Sequence, residues 1–155
     1  MAVENWIDAI SALWEIEDGA GGTVKSYRVF EKSEFPETIT VWPCAITYTR
    51  GVKSNYSLGG PCIDHWQGVT EFHLYDNVDR SHMPEMMRWF ARIRNAAAGS
   101  ITLGGLVAHF MLDPSVENNI LGPVVMQFGS ENPHHGLVVS WTVKENVSGA
   151  FTPAA

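Results

Sequence analysis

Leu137, Val139, Trp141 and Val143 take every second place in the stretch GLVVSWTVKE. Side chains leave a β-strand on alternate faces, so this spacing predicts a strand with one buried side. A chain that ends its ordered part this way needs further strands to complete a sheet and something apolar to cover it.

The rest of the sequence supplies both. Val3, Trp6, Ile7, Ile10, Leu13 and Trp14 recur at helical spacing and predict an N-terminal helix. Glu4, Asp8 and Glu15 fall on its other side, and the glycines of DGAGG, residues 18–22, are expected to end it. Cys44, Ile46 and Tyr48 alternate with Ala45, Thr47 and Thr49 and predict a half-buried strand, with Pro43 at its start. The stretch WQGVTEFHLYD predicts a second strand, antiparallel to the first. Between them, residues 50–65 read as a long polar loop containing glycine.

A second helix is predicted over MPEMMRWFARIRNAAAG, with Pro84 in its first turn and Gly99 as its cap. Met83, Met86, Phe90, Ile93 and Ala97 form its expected inner face. Glu85, Arg88, Arg92 and Asn95 form the outer one. Three strands follow, at about Leu106–Leu112, Val124–Phe128 and Leu137–Val143, with Gly104-Gly105 as a turn. The expected fold is a single α+β domain over residues 1–155: a mostly antiparallel sheet packed by two helices, with a flexible tail at 148–155.

Composition narrows the function. Of 155 residues, 45% are hydrophobic and only 17% charged, which argues against disorder and hints at a covered surface. A net charge of −7 disfavours general attraction to nucleic acid. No apolar run is long enough for a membrane span, and the first residues do not read as a secretory signal. Two cysteines are too few for a disulfide framework, so a reducing setting is expected.

The reactive residue types suggest two chemistries, both weak. Cys62 and His65, joined by His134 and His135, give a poor zinc spacing with a cysteine on one half only. Cys62 or Cys44 with a histidine and Asp64 would make a thiol hydrolase, yet such groups are seldom sequence neighbours. The expectation is no catalytic residue, no metal and no cofactor. His73 and His109, mid-strand, read as core or interface histidines. The opposite charges on the helices suggest a contact between subunits: Glu4, Asp8 and Glu15 against Arg88 and Arg92, in a head-to-tail arrangement.

The order of elements, with the segments WPCAITY and GPVVMQFG…HHGLVVSWTVKE, resembles the tail terminator and tail-completion (neck) proteins of long-tailed bacteriophages. The resemblance spans roughly residues 3 to 147 and carries no catalytic signature. It implies a structural virion protein, assembled in the host cytoplasm. The protein would form a hexameric ring at the head-proximal end of the tail. The ring would stop growth of the tail tube and meet the head connector, and DNA would pass through its lumen without specific binding. Arg50, Lys53, Asn55, Tyr56 and Asp64, in the long loop, are then the expected contact with tube or connector. A head-completion protein of the same neck, or a small cysteine/histidine enzyme or binding module, are the alternatives.

Overall fold

The computed structural model describes residues 2–28, 39–56, 62–127 and 132–147. In chain order these form α1 (Ala2–Leu13), β1 (Lys25–Arg28), β2 (Cys44–Tyr56), β3 (Cys62–His73), a 3-10 turn (Arg80–His82), α2 (Met83–Ala98), β4 (His109–Leu112), β5 (Ile120–Met126) and β6 (His134–Val147). The six strands make one sheet in the order β1-β2-β3-β6-β4, with β5 also on β6. Only the β1–β2 pair is parallel. The fold is the expected α+β arrangement.

Both helices pack on one face of the sheet. Trp6, Ile7, Ile10 and Trp14 of α1, and Met86, Trp89, Ile93 and Ala97 of α2, join Phe72, Leu137, Val139, Trp141 and Val143 in a single core. Aromatic edges meet faces throughout it. Trp6 lies 5.4 Å from Trp66 and 6.1 Å from Trp141, and Trp14 lies 5.5 Å from Phe72, all at steep interplanar angles. Such edge-to-face pairs add about 0.5–1.5 kcal/mol each to the burial of the rings. The Trp141 indole N–H donates to Thr70 Oγ1 at 3.1 Å, and Thr70 shares a 2.9 Å bond with Thr47, so no hydroxyl in this part of the core is stranded.

Several boundaries differ from the sequence expectation, each for a physical reason. The stretch expected as a loop at 50–65 is strand at both ends. β2 runs on to Tyr56 and β3 already begins at Cys62, while 57–61 lie outside the described residues. Residues 50–55 are exposed on both sides, so no apolar alternation marks them. A bulge also breaks their phase: Thr49 pairs with Gly68 and Gly51 with Gln67, leaving Arg50 as the extra residue. The start of β2 is not half-buried either; Cys44 to Thr47 are buried on both faces.

α1 stops at Leu13, well before the glycines. Residues 16–24 instead close a small loop. In it Val24 N–H donates to the Ile16 carbonyl, and Asp18 Oδ1 accepts from the Ala20 and Gly22 amides. Gly19 and Gly21, at φ 81° and 89°, make that tight turn. On α2, Trp89 rather than Phe90 is fully inward, and Met83 is exposed. β4 fills only the end of its expected range, β5 begins four residues before its own, and β6 runs beyond its expected start and end. Gly104 and Gly105 do form a turn, with φ 71° and 89°. The tail at 148–155 lies outside the described residues.

Gly68 is where the packing of β6 on β3 is closest: a methyl group there would fall inside the Trp141 ring. Gly68→Ala is expected to destabilise the fold by about 1–3 kcal/mol through overpacking. Gly51→Ala, which meets nothing within 4 Å, should change stability by less than about 0.5 kcal/mol. Urea titration compares the two; equal midpoints would contradict the role given to Trp141.

Candidate functional site

Register decides the cysteine and histidine question. Strand partners place Cys62 against Val147 and His73 against Gly136, so the Cys62 end and the His134–His135 end of β6 are opposite ends of the sheet. At about 3.4 Å per residue they stand some ~40 Å apart. Cys62 and Asp64 also face the helices, whereas His65 faces the other way; no clip or dyad forms. Among the described residues no group of three or more His, Cys, Asp or Glu is placed to hold a metal ion. The Cys62 thiol donates to Asp64 Oδ1 at 3.5 Å, and burial with the Asp64 and Glu145 charges pushes its pKa up. Cys44 is completely buried, and burial first, then the Glu71 charge, pushes it up to about 12. Neither thiol is an available nucleophile.

The face of the sheet away from the helices carries two distinct groups of polar residues. At one end lies a buried chain of hydrogen bonds. His134 Nδ1 is 3.0 Å from the Asn132 carbonyl, which can only accept. Across 2.7 Å, His134 Nε2 shares a hydrogen bond with His73 Nδ1. His73 Nε2 then meets Glu71 Oε1 at 3.2 Å, while the Tyr48 hydroxyl donates to Glu71 Oε2 at 2.6 Å. The bond from His73, followed by that from Tyr48, holds the Glu71 carboxyl below its ordinary pKa against the opposing effect of burial. The Trp42 ring packs on His134 at 4.9 Å. This chain ties β2, β3 and β6 together, and sequence analysis, which placed His134 in a candidate metal set, did not join it to His73.

At the other end the same face is open. Lys53 pairs with His65, His65 with Lys144, and Lys144 with His109, giving one row across β2, β3, β6 and β4. Their inward neighbours Trp66, Val143 and Phe110 belong to the helix-covered side, so these four point outward. Lys53 and His65 are exposed, and Lys144 and His109 partly so. The adjacent rows on this face hold Asn55, Ile63 and Asn146 on one side and Gly51, Gln67, Thr142 and Met111 on the other, with no carboxylate. A shallow groove of about 460 Å³ runs here, from Lys53 and His65 to Met111 and Asp113. Asp113 is buried and accepts from the Ser115 amide and hydroxyl, so it does not serve the row. No sequence signal could assemble these four residues, because only the strand register aligns them.

The expected contact residues are distributed as follows. Arg50, Lys53 and Asn55 are exposed on the β2–β3 hairpin, and Asp64 is half-buried, accepting from Ser54 at 2.6 Å. The Tyr56 side chain lies outside the described residues. Asp8 and Glu4 pair with Arg28 inside the chain, and Glu15 is exposed. Arg88 and Arg92 both bond Glu85, at 2.7 and 2.6 Å. Arg92 also reaches the Asp18 carbonyl and stacks over Trp89, pinning the 16–24 loop to α2. The basic side of the expected contact is thus tied up at Arg92, while Arg88 stays largely exposed.

Two outcomes follow. Glu71 is stabilising above the ordinary glutamate pKa of 4.5, and that contribution disappears as pH falls through its lowered folded value. Glu71→Gln should therefore unfold with a shallower acid limb than wild type in urea titrations from pH 7 to pH 3; an unchanged limb would contradict the pairing with His73. Both thiols should stay unreactive to an aromatic disulfide reagent at pH 8 until the chain unfolds, and rapid labelling of either in the native protein would show it is accessible. The chain matches no known family model, and no curated protein is found similar to it, leaving geometry to carry the functional reading.

Proposed function

We propose that the chain is a structural virion protein of a long-tailed bacteriophage, forming a ring at the head-proximal end of the tail. It ends growth of the tail tube and joins the tail to the head connector. The observation that carries this reading is the β2–β3 hairpin. Its exposed part, 50–55, lies past the stretch of β2 that β1 pairs, and β3, which β6 pairs as far as Cys62 and Val147, holds it within the helix-backed sheet. Such an exposed strand suits contact with a neighbour in a stack of rings. The distribution of reactive groups supports an assembly role in the same sense, since both thiols are buried and protonated and the buried histidines tie strands together. The resemblance of the WPCAITY and HHGLVVSWTVKE segments to neck proteins points in the same direction.

In this reading the tail tube protein and the connector are the partners on either side, six copies close the ring, and DNA crosses the lumen without specific contacts. The net charge of −7 suits a channel that repels phosphate. Neither a cofactor nor a catalytic residue is assigned.

Particles assembled without this chain are expected to carry tubes of irregular, excessive length and no attached heads in electron micrographs. Headless tails of regular length would move the role to head completion within the same neck. Infective particles of normal shape would overturn the reading.

A further inference from the structure

The four-strand row of Lys53, His65, Lys144 and His109 has no counter-charge beside it within the subunit. Its two lysines alternate with two histidines, and no carboxylate occupies the neighbouring rows on that face. The chain as a whole is acidic, so the row is a local reversal of its field. That contrast disfavours a long polyanion, which would feel the net repulsion from a distance.

The same chain carries a surface of opposite charge. Glu4 and Asp8 are exposed about one turn apart on one side of α1, about 6 Å along its axis, and Glu15 is exposed just past the helix end. The row spans about 14 Å at about 4.8 Å per strand. Arg28 offsets part of this stripe at Asp8 and Glu4, and three carboxylates against one guanidinium leave it negative.

We infer that the row docks the acidic side of α1 from a second copy of this chain. The row lies on the open face of the sheet and α1 on the helix-covered face, so one subunit cannot satisfy both. The contact is head-to-tail and propagates around a ring or along a filament. The inference rests on the ring reading above and replaces Arg88 and Arg92, which are bonded to Glu85, with Lys53 and Lys144 as the basic partners.

The test uses two full-length variants, Lys53→Glu/Lys144→Glu and Glu4→Lys/Glu15→Lys, with near-UV circular dichroism confirming the fold. Lys53→Glu alone, at an exposed position, replaces the first if Lys144→Glu unfolds. Sedimentation at low salt should find wild type self-associated, each variant weakened by about tenfold or more, and an equimolar mixture of the two restored. High salt should weaken wild type in parallel. Association of both variants at wild-type strength would overturn this docking mode while leaving the ring reading intact. Binding of a short DNA duplex to wild type but not to the lysine variant, with self-association unchanged, would make the row a polyanion site and overturn it. A wild type that stays monomeric, alone and with purified tail tubes, would overturn both the docking and the ring.

Discussion

Trp141 lying flat against Gly68 is the contact on which the molecule depends. It sits mid-strand on β6, the strand that pairs with three others, and its indole N–H is anchored on Thr70. Trp6 meets the same ring edge-on, and Phe110 lies 6.0 Å from it, so a helix and a neighbouring strand converge there. α1 has only 12 residues, too few to be stable as an isolated helix. Its position comes from the two indoles it inserts. Because both helices crowd onto this lattice, they leave the opposite face of the sheet to do something else.

That opposite face is divided. Cys44, Ile46, His73 and His134 at one end are almost wholly buried, and the hydrogen-bond chain through Glu71 takes up both histidines. The other end faces water at Lys53 and His65 and carries two lysines, Lys53 and Lys144. A buried polar network of this kind fixes strand register more sharply than apolar packing does, since a slipped strand would leave its donors and acceptors unmatched. Register at the buried end then sets register at the open end, and the alignment of Lys53 with His65 and Lys144 follows from it.

The sequence made the helix-covered half legible because burial there is one-sided. Leu137 to Val143 alternate and Trp6 to Trp14 recur at helical spacing, and a strand and a helix are found there, the strand longer and the helix shorter than expected. Legibility failed where burial is two-sided or absent. Cys44 to Thr47 are covered on both faces, so alternation there said nothing about burial. Residues 50–55 are uncovered on both, and their polarity resembled a loop. Trp89 was missed because Met86 and Ile93 admit either neighbour on the inner side of α2. The candidate site was less legible still. His73 with His134, and Lys53 with Lys144, are far apart in the chain and meet only through pairing that no local pattern encodes.

Arg50 reverses the parity of β2 without reversing its faces. Upstream of it, odd-numbered residues of β2 look toward the helices; downstream, even-numbered ones do. Deleting Arg50 would set Thr49 and Gly51 opposite the adjacent residues Gly68 and Gln67, so the ladder would run regular, with Val52 and Ser54 still toward the helices and Lys53 still on the open side. The extra residue therefore acts on the course of the strand alone: it bends and twists the outer part of β2 against its base, and so sets the angle at which Lys53 is offered to whatever meets that face.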